Sequence, residues 1–261
     1  MNYKLIEVET EGEVGLLRLN QPAKLNALNE QMIDELSDAV DVVAKSSRAV
    51  ILSGAGRAFC SGASLDQAIS AGDPRTRDVG AFLEAYINPL LIKLRELPIP
   101  WISSVRGAAA GVGASLALSA DLVVAGDTAY FLQAFARIGL VPDGGATHFL
   151  VRTVGRVRAM ELMMLGERLP AAKACEWGLI NRVVADPDLE REALQLARSL
   201  ARGPSVALGM IRAAVWNAAD APWDQVLLQE RRNQMIAGRT MDCQEGVAAF
   251  NEKRPPQFVG R

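Results

Sequence analysis

The sequence predicts an α/β fold that ends in a helical region. Three observations carry this reading. Apolar segments of strand length alternate with segments of helical spacing up to about residue 125, the pattern of β-α units that stack a sheet. From Arg156 onward almost every segment has helical spacing. Half of the 261 residues are hydrophobic, enough for one large domain or for one domain with a helical appendage.

The elements follow in order. Leu5 to Thr10 and Val14 to Asn20 flank Glu11-Gly12, a β-hairpin pattern. Pro22 and the asparagines of QPAKLNALN mark a loop. Asn29 then caps a helix with Met32, Ile33, Leu36, Val40 and Val43 on one face. Ala49 to Ser53 is a short buried strand, and Gly54-Ala55-Gly56 turns the chain into RAFCSGASLDQ. Residues 66–81 are polar and hold Gly72, Asp73 and Pro74, which predicts a mobile loop or irregular helix. Phe82, Tyr86, Leu90, Leu94 and Leu97 are spaced as one helical face, ended by Pro98 and Pro100.

Trp101 to Val105 is a strand that opens the stretch organising the chain, VRGAAAGVGASLALSADLVV. It reads as a strand, a glycine-rich turn, a small-residue helix from about Gly111, and a strand from about Leu122. A short strand, Ala129 to Gln133, precedes IGLVPDGGATHFLVRTVG, which turns into a helix. Helices are expected at 156–165, 170–177, 188–202, 204–218, 222–238 and 240–252. Pro170, Pro187, Pro204 and Pro222 stand near the starts of four of them, where a missing N–H costs nothing. Their apolar faces have no sheet left to cover. That excess predicts packing against their own core and against a neighbouring subunit.

Composition excludes several classes. Lys plus Arg is 28 against 30 Asp plus Glu, a net charge of −2, which argues against nucleic acid or an anionic membrane as partner. Cys60, Cys175 and Cys243 are odd in number and far apart, with no metal-ligand spacing, and His148 is the single histidine. A zinc site is not expected. A Ser–His–Asp hydrolase would depend on His148, and there is no G-x-S-x-G elbow. The free thiols point to a reducing, cytoplasmic setting. MNYKLIEVET carries acids and no apolar run, so it does not read as a signal peptide. The long apolar run from Gly107 to Gly126 contains Asp121. An acid there would cost about 3 kcal/mol at a bilayer centre, so the run reads as soluble core.

Gly107, Gly111 and Gly113 leave the backbone bare where the small-residue helix begins. The first amides of a helix lack internal partners and lie at the positive end of its dipole. Val112 N–H therefore reads as a donor to an oxyanion, with Gly111 beside it. The alternative is a tightly packed helix whose glycines only allow close contact. A second donor is expected within Ala58 to Leu65, which also follows a strand and a glycine-rich turn, although an ordinary β-α loop would look the same. Two such turns can meet at one end of a sheet. Two amides on one oxygen would stabilise an enolate formed from a thioester carbonyl.

AFCSGASL, then GAAAGVGASLALSADLVVA, then IGLVPDGGATHFL resemble the enoyl-CoA hydratase/isomerase (crotonase) superfamily. NQPAKLNALN and ACEWGLINRVV add to the likeness, which spans nearly the whole chain. INPLLIKLRELP, QAFARIGLVPDGG and KRPPQFVGR are most similar to its ring-1,2-epoxyphenylacetyl-CoA isomerases.

The resemblance implies a ββα spiral with a C-terminal helical oligomerisation region: an acyl-CoA-binding core over 1–200 and trimerisation helices over 201–261. Homotrimers, usually paired into hexamers, are implied. So is an acyl-CoA thioester substrate, with coenzyme A part of the substrate and no separate cofactor. The implied oxyanion donors are the amides of Ala63 and Val112. The implied CoA-binding segments are Ala23, Lys24, Leu25 and Ala27, together with Ala63, Ser64 and Leu65.

Departures from the family decide the expected chemistry. Hydratases of this family activate water with two glutamates, whose positions match Ser115 and Phe135 here. Neither side chain is a base near neutrality. Asp143 in VPDGG remains, at the turn where isomerases of this branch carry their carboxylate. One carboxylate suits a 1,3-proton shift, whereas hydration benefits from a second group to hold water. Asp143 also suits an N-cap, and both roles can hold. Ser64 stands where many members carry Asp, and Arg106 where Asn is usual. Lys24 could pair with a CoA phosphate or be an ordinary surface lysine. Trp101 and Trp177 read as core, and His148 as a satisfied or exposed side chain one turn into a helix. The implied activity is an acyl-CoA isomerase of phenylacetate or fatty-acid degradation. An enoyl-CoA hydratase and a non-catalytic CoA-binding subunit are the alternatives.

Overall fold

The computed structural model describes residues 3–64, 73 and 75–261. Ten strands form two sheets among the described residues. The larger has the order β1(Ile6–Glu11), β2(Val14–Leu19), β3(Ala49–Gly54), β5(Trp101–Val105), β7(Leu122–Gly126), β10(Arg182–Val184). Only β1 and β2 pair antiparallel; every later pair is parallel. The smaller sheet has the order β4(Ala58–Cys60), β6(Ala108–Ala110), β8(Tyr130–Leu132), β9(Arg168–Pro170).

Strand pairs alternate between the sheets. β3 enters the large sheet and β4 the small one; β5 and β6 repeat this, and so do β7 and β8. Each pair is followed by helix, so the chain advances as a spiral of ββα turns. The helices are α1(Glu30–Ser46), α2(residues 80–96), α3(Val112–Leu118), α4(Ala146–Leu165), α5(Ala171–Glu176), α6(Leu189–Ala201), α7(Ser205–Ala218), α8(Trp223–Ala237) and α9(Met241–Glu252).

The main core joins both sheets to α1, α2 and α3 through Trp101, Phe59, Met32, Leu36, Leu90 and Leu116. A second core lies between the other face of the large sheet and α6, with Ile51, Ile102 and Val124 against Ala193 and Ala197. Trp101 is fully buried as expected. Trp177 is only half-buried, with the Arg158 guanidinium 4.5 Å over its ring. No helix among the described residues is long and apolar enough to cross a membrane.

Asn29 caps α1 as its sequence indicates, accepting Met32 N–H at 2.8 Å. Four three-residue strands, β4, β6, β9 and β10, are absent from the sequence reading. β4 and β6 contain four alanines between them, a residue depleted in strands. They are strands because parallel neighbours far away in sequence pair with them. The buried face of α2 also differs: Ile87 is buried and Tyr86 half-exposed. Residues 83–87 form a π turn, which shifts the helical phase. Half of the segment expected to be a mobile loop or irregular helix, residues 66–72 and 74, lies outside the described residues; its last two residues, Gly80 and Ala81, open α2.

One buried ion pair ties α7 to this framework. Arg212, 6% exposed, donates from Nε to Asp121 Oδ2 at 2.6 Å. Its other nitrogens bond the carbonyls of Leu94, Arg95 and Leu97, the unpaired C-terminal carbonyls of α2. Arg212→Ala leaves Asp121 buried without its cation, a loss of about 3–5 kcal/mol. Urea unfolding near neutral pH should show that deficit. In mild acid the deficit should shrink, because burial raises the Asp121 carboxyl and it then takes up a proton.

Candidate active site

β4 and β6 run parallel with Cys60 beside Ala109, and both chains leave the small sheet at the same end. Their turns then approach closely. A Cβ on Gly113 would stand 2.5 Å from Cys60 O, and one on Gly62 would stand 3.0 Å from Ala110 O. Only glycine fits the first of these positions without moving the backbone.

The approach brings two bare amides together. Ala63 bridges Leu28 in parallel: Leu28 N–H donates to Gly62 O at 2.8 Å, and Ser64 N–H donates to Leu28 O at 2.7 Å. That pattern turns the N–H of Ala63 away from Leu28. Val112 is the first residue of α3, so its N–H has no acceptor inside the helix. Ala63, Val112, Gly111 and Asp143 all line one cavity of about 530 Å³, within the usual range for a ligand site. Phe82, Leu83, Phe135, Ile138 and Leu140 make its apolar wall.

Asp143 is held by its backbone. Its carbonyl accepts Ser115 Oγ–H and Ala146 N–H, each at 3.0 Å. The turn presses on α3 so closely that a Cβ on Gly144 would lie 2.8 Å from Val112 Cγ2. The carboxyl itself stays free: Oδ1 is buried with no hydrogen-bond partner, and burial pushes the group up to about 6. It does not cap α4. Gly145, in left-handed conformation, is the N-cap, and no side chain bonds there. The capping role open in the sequence is thus not taken, because two left-handed glycines separate Asp143 from the first helical residue.

Ser115 is fully buried and Phe135 faces Gly111, and neither residue brings an acid to the cavity. Ala27 and Ser64 line the cavity, whereas Ala23 and Lys24 are exposed outside its wall. Leu25 meets the site through its carbonyl, which accepts Ser61 N–H at 3.0 Å. Leu65 and Asp66 lie outside the described residues. Arg106 turns away toward α6, donating to Asp186 O at 3.2 Å. His148 stacks on Trp216 in a separate groove between α4 and α7. No group of three or more metal-binding side chains occurs among the described residues.

Sequence reasoning missed Asn26. It is fully buried and left-handed (φ 56°), and its partly buried neighbour Leu25 is left-handed too (φ 52°). Its Oδ1 accepts Gln21 N–H at 2.9 Å, and its Nδ2 donates to Ala58 O at 2.8 Å and Ala55 O at 3.0 Å. It clasps the loop bearing Ala27 to the β3–β4 turn. The available signal was an asparagine, the non-glycine residue that best tolerates this conformation, in a turn-rich segment.

The model of the enoyl-CoA hydratase/isomerase family matches residues 9–261. The chain is 44% identical to the 1,2-epoxyphenylacetyl-CoA isomerase of Escherichia coli (strain K12), over all of both chains. It is 33% identical to the trans-2-decenoyl-acyl-carrier-protein isomerase of Streptococcus mutans, again over all of both. Among solved structures, an enoyl-CoA hydratase from Polaromonas sp. JS666 superposes with a TM-score of 0.91 at 34% identity, covering 97% of this chain and 99% of that one.

The Asp143 environment makes a stability prediction. An unfolded Asp titrates near 3.9, the folded one near 6. The folded state therefore holds the proton more tightly, and stability is lost as pH rises through that window. Asp143→Asn has no such loss. Thermal unfolding curves of the two proteins should lie at a constant offset below about pH 4, with the variant gaining relative stability up to about pH 7. An offset independent of pH would refute the buried-carboxyl description.

Proposed function

The chain belongs to the enoyl-CoA hydratase/isomerase family, and we propose that within it this protein is an acyl-CoA isomerase. The observation that carries the proposal is Asp143: the single carboxyl on the described cavity wall, with a buried oxygen that has no partner, in the same cavity as two bare amides. In the proposed reaction the thioester carbonyl accepts from Ala63 N–H and Val112 N–H. Asp143, ionised at neutral pH, removes the proton from the carbon next to the carbonyl. The electrons move into an enolate whose oxygen the two amides stabilise; one such donor is worth roughly 3 kcal/mol. The enolate then collapses to the carbonyl, a double bond forms next to it, and the same carboxyl returns the proton to the far carbon of the original double bond. A group titrating near 6 suits both halves, since an efficient catalytic acid–base has a pKa close to working pH.

The apolar wall of Phe82, Leu83, Phe135, Ile138 and Leu140 takes the acyl group. Coenzyme A enters as part of the substrate and lies over Ala23, Lys24, Leu25 and Ala27 on the rim, where Lys24 meets a phosphate. The likeness to the 1,2-epoxyphenylacetyl-CoA isomerase supports a substrate from phenylacetate or fatty-acid degradation.

Assembly belongs to the same reading. Val157, Met164, Leu165, Trp223 and Phe250 are all more than half exposed on α4, α8 and α9. Such a concentration of bare apolar side chains supports a homotrimer or a hexamer. Light scattering at micromolar concentration should return one of these masses, and a stable monomer would sink the assignment.

Asp143→Asn tests the chemistry. Isomerisation of a 3-enoyl-CoA should fall by roughly 100-fold or more, the usual contribution of a general base, while affinity for a product analogue is retained. For the unmodified protein, kcat/KM should rise with pH and level off above about 6. Water addition to crotonyl-CoA should be slow or absent, as Ser115 and Phe135 offer no second base. An unchanged isomerisation rate in the variant overturns the role of Asp143.

A further inference from the structure

Helix α2 is interrupted where it borders the cavity. Across residues 83–87 the bonding steps to a π turn: Asn88 N–H donates to Leu83 O, five residues back. Pro89 follows, exposed on the outer side of the helix and absent from the cavity wall. In α geometry a proline at this position supplies no N–H for the carbonyl of Ala85, and its ring collides with that carbonyl. One extra residue taken into the preceding turn moves the carbonyl away from the ring.

The consequence is a change of phase at the cavity. The buried positions are Phe82, Ile87, Leu90 and Leu94, with a first interval of five residues. At 3.6 residues per turn, five residues overshoot one turn by about 140°. In an unbroken α-helix Phe82 would stand off the face of Ile87. Leu83, four residues from Ile87, would take its place. The π turn puts Phe82 there instead, with Leu83 beside it, and both line the cavity holding Ala63, Val112 and Asp143.

We infer that Pro89 is a positioning residue that sets acyl-group specificity, because the π turn it enforces keeps Phe82 on the wall that faces the acyl group, beside Leu83. The inference rests on the reading of the cavity as an acyl-CoA site, and not on the proton transfer. Without Pro89 the helix closes in α geometry, the larger Phe82 turns off the wall, and Leu83 moves into its place. The cavity then accepts bulkier acyl groups.

Calorimetric titration with two unreactive ligands, butanoyl-CoA and phenylacetyl-CoA, tests this in the full-length protein. Alanine is a good helix former and position 89 is exposed, so Pro89→Ala is expected to fold, which its melting curve verifies. The ratio of the two dissociation constants should shift by roughly 10-fold toward phenylacetyl-CoA, the scale of a small change in apolar pocket volume. Adding Leu83→Phe in the Pro89→Ala background should return the ratio toward that of the unmodified protein, a rescue that general loosening of the fold would not produce. A ratio within about twofold of the original, a shift toward butanoyl-CoA, or absence of rescue overturns the inference. Because both ligands are unreactive, a failure of Asp143 catalysis leaves this measurement readable. Failure of the unmodified protein to bind either ligand would overturn the acyl-CoA reading and this inference together.

Discussion

At the end of the small sheet two backbone turns lie closer than side chains would permit. Gly113 backs onto Cys60, and Gly62 faces Ala110. The bare amides of Ala63 and Val112 share a cavity because of this approach. Cys60 fills the seam between the turns. It is fully buried, and its sulfur accepts Gly62 N–H at 3.4 Å. Burial pushes its thiol up to about 12, so it stays protonated and acts through packing, not as a nucleophile. The parallel pairing of β4 with β6 sets the height of the two turns, and the bridge from Leu28 to Ala63 sets the direction of one amide.

Asp143 shows the opposite strategy, a polar group left unsatisfied. Its backbone carbonyl has two donors and its buried carboxyl oxygen none. Ser115 could have bonded that carboxyl but bonds the carbonyl instead. An ionisable group placed so costs stability when charged, and its pKa rises as a result. Uncompensated polarity of this kind at a cavity wall is a mark of a functional site. Phe135, Ile138 and Leu140 make an apolar part of the same wall, and Arg137, Ser61 and Ser64 are its other polar side chains, which leaves Asp143 as its one carboxyl among the described residues.

The helical third is fastened at a few polar points. Arg212 joins α7 to Asp121 and to the end of α2. Arg48, just before β3, joins the large sheet to Gly203 O, Ser205 Oγ and Phe258 O. Buried Asp242 accepts the amides of Val259 and Gly260, which folds the chain end back onto α9. These ties leave the outer faces of α4, α8 and α9 apolar and uncovered. Orientation by fixed polar contacts, with apolar surface left over, is the arrangement expected of helices that also serve an interface.

By itself the sequence determined the elements whose signals are local. The β1–β2 hairpin, the Asn29 cap, the strands at 49 and 101 and the start of α3 all follow from spacing or from residue type. The tertiary structure decided what depends on distant partners. Alanine-rich β4 and β6 become strands only through each other and β8. Asn26 is a buried clasp only because three carbonyls from residues 55–59 converge on it. From its residue type Asp143 reads as a helix cap, until Gly144 and Gly145 turn left-handed and separate it from the helix. The phase of α2 likewise escapes a fixed helical period, since the π turn at residues 83–87 changes that period locally and Ile87, not Tyr86, enters the core. In each case the deciding energy is a contact between residues far apart in the chain or a departure from ideal backbone geometry, and neither leaves a periodic trace in the sequence.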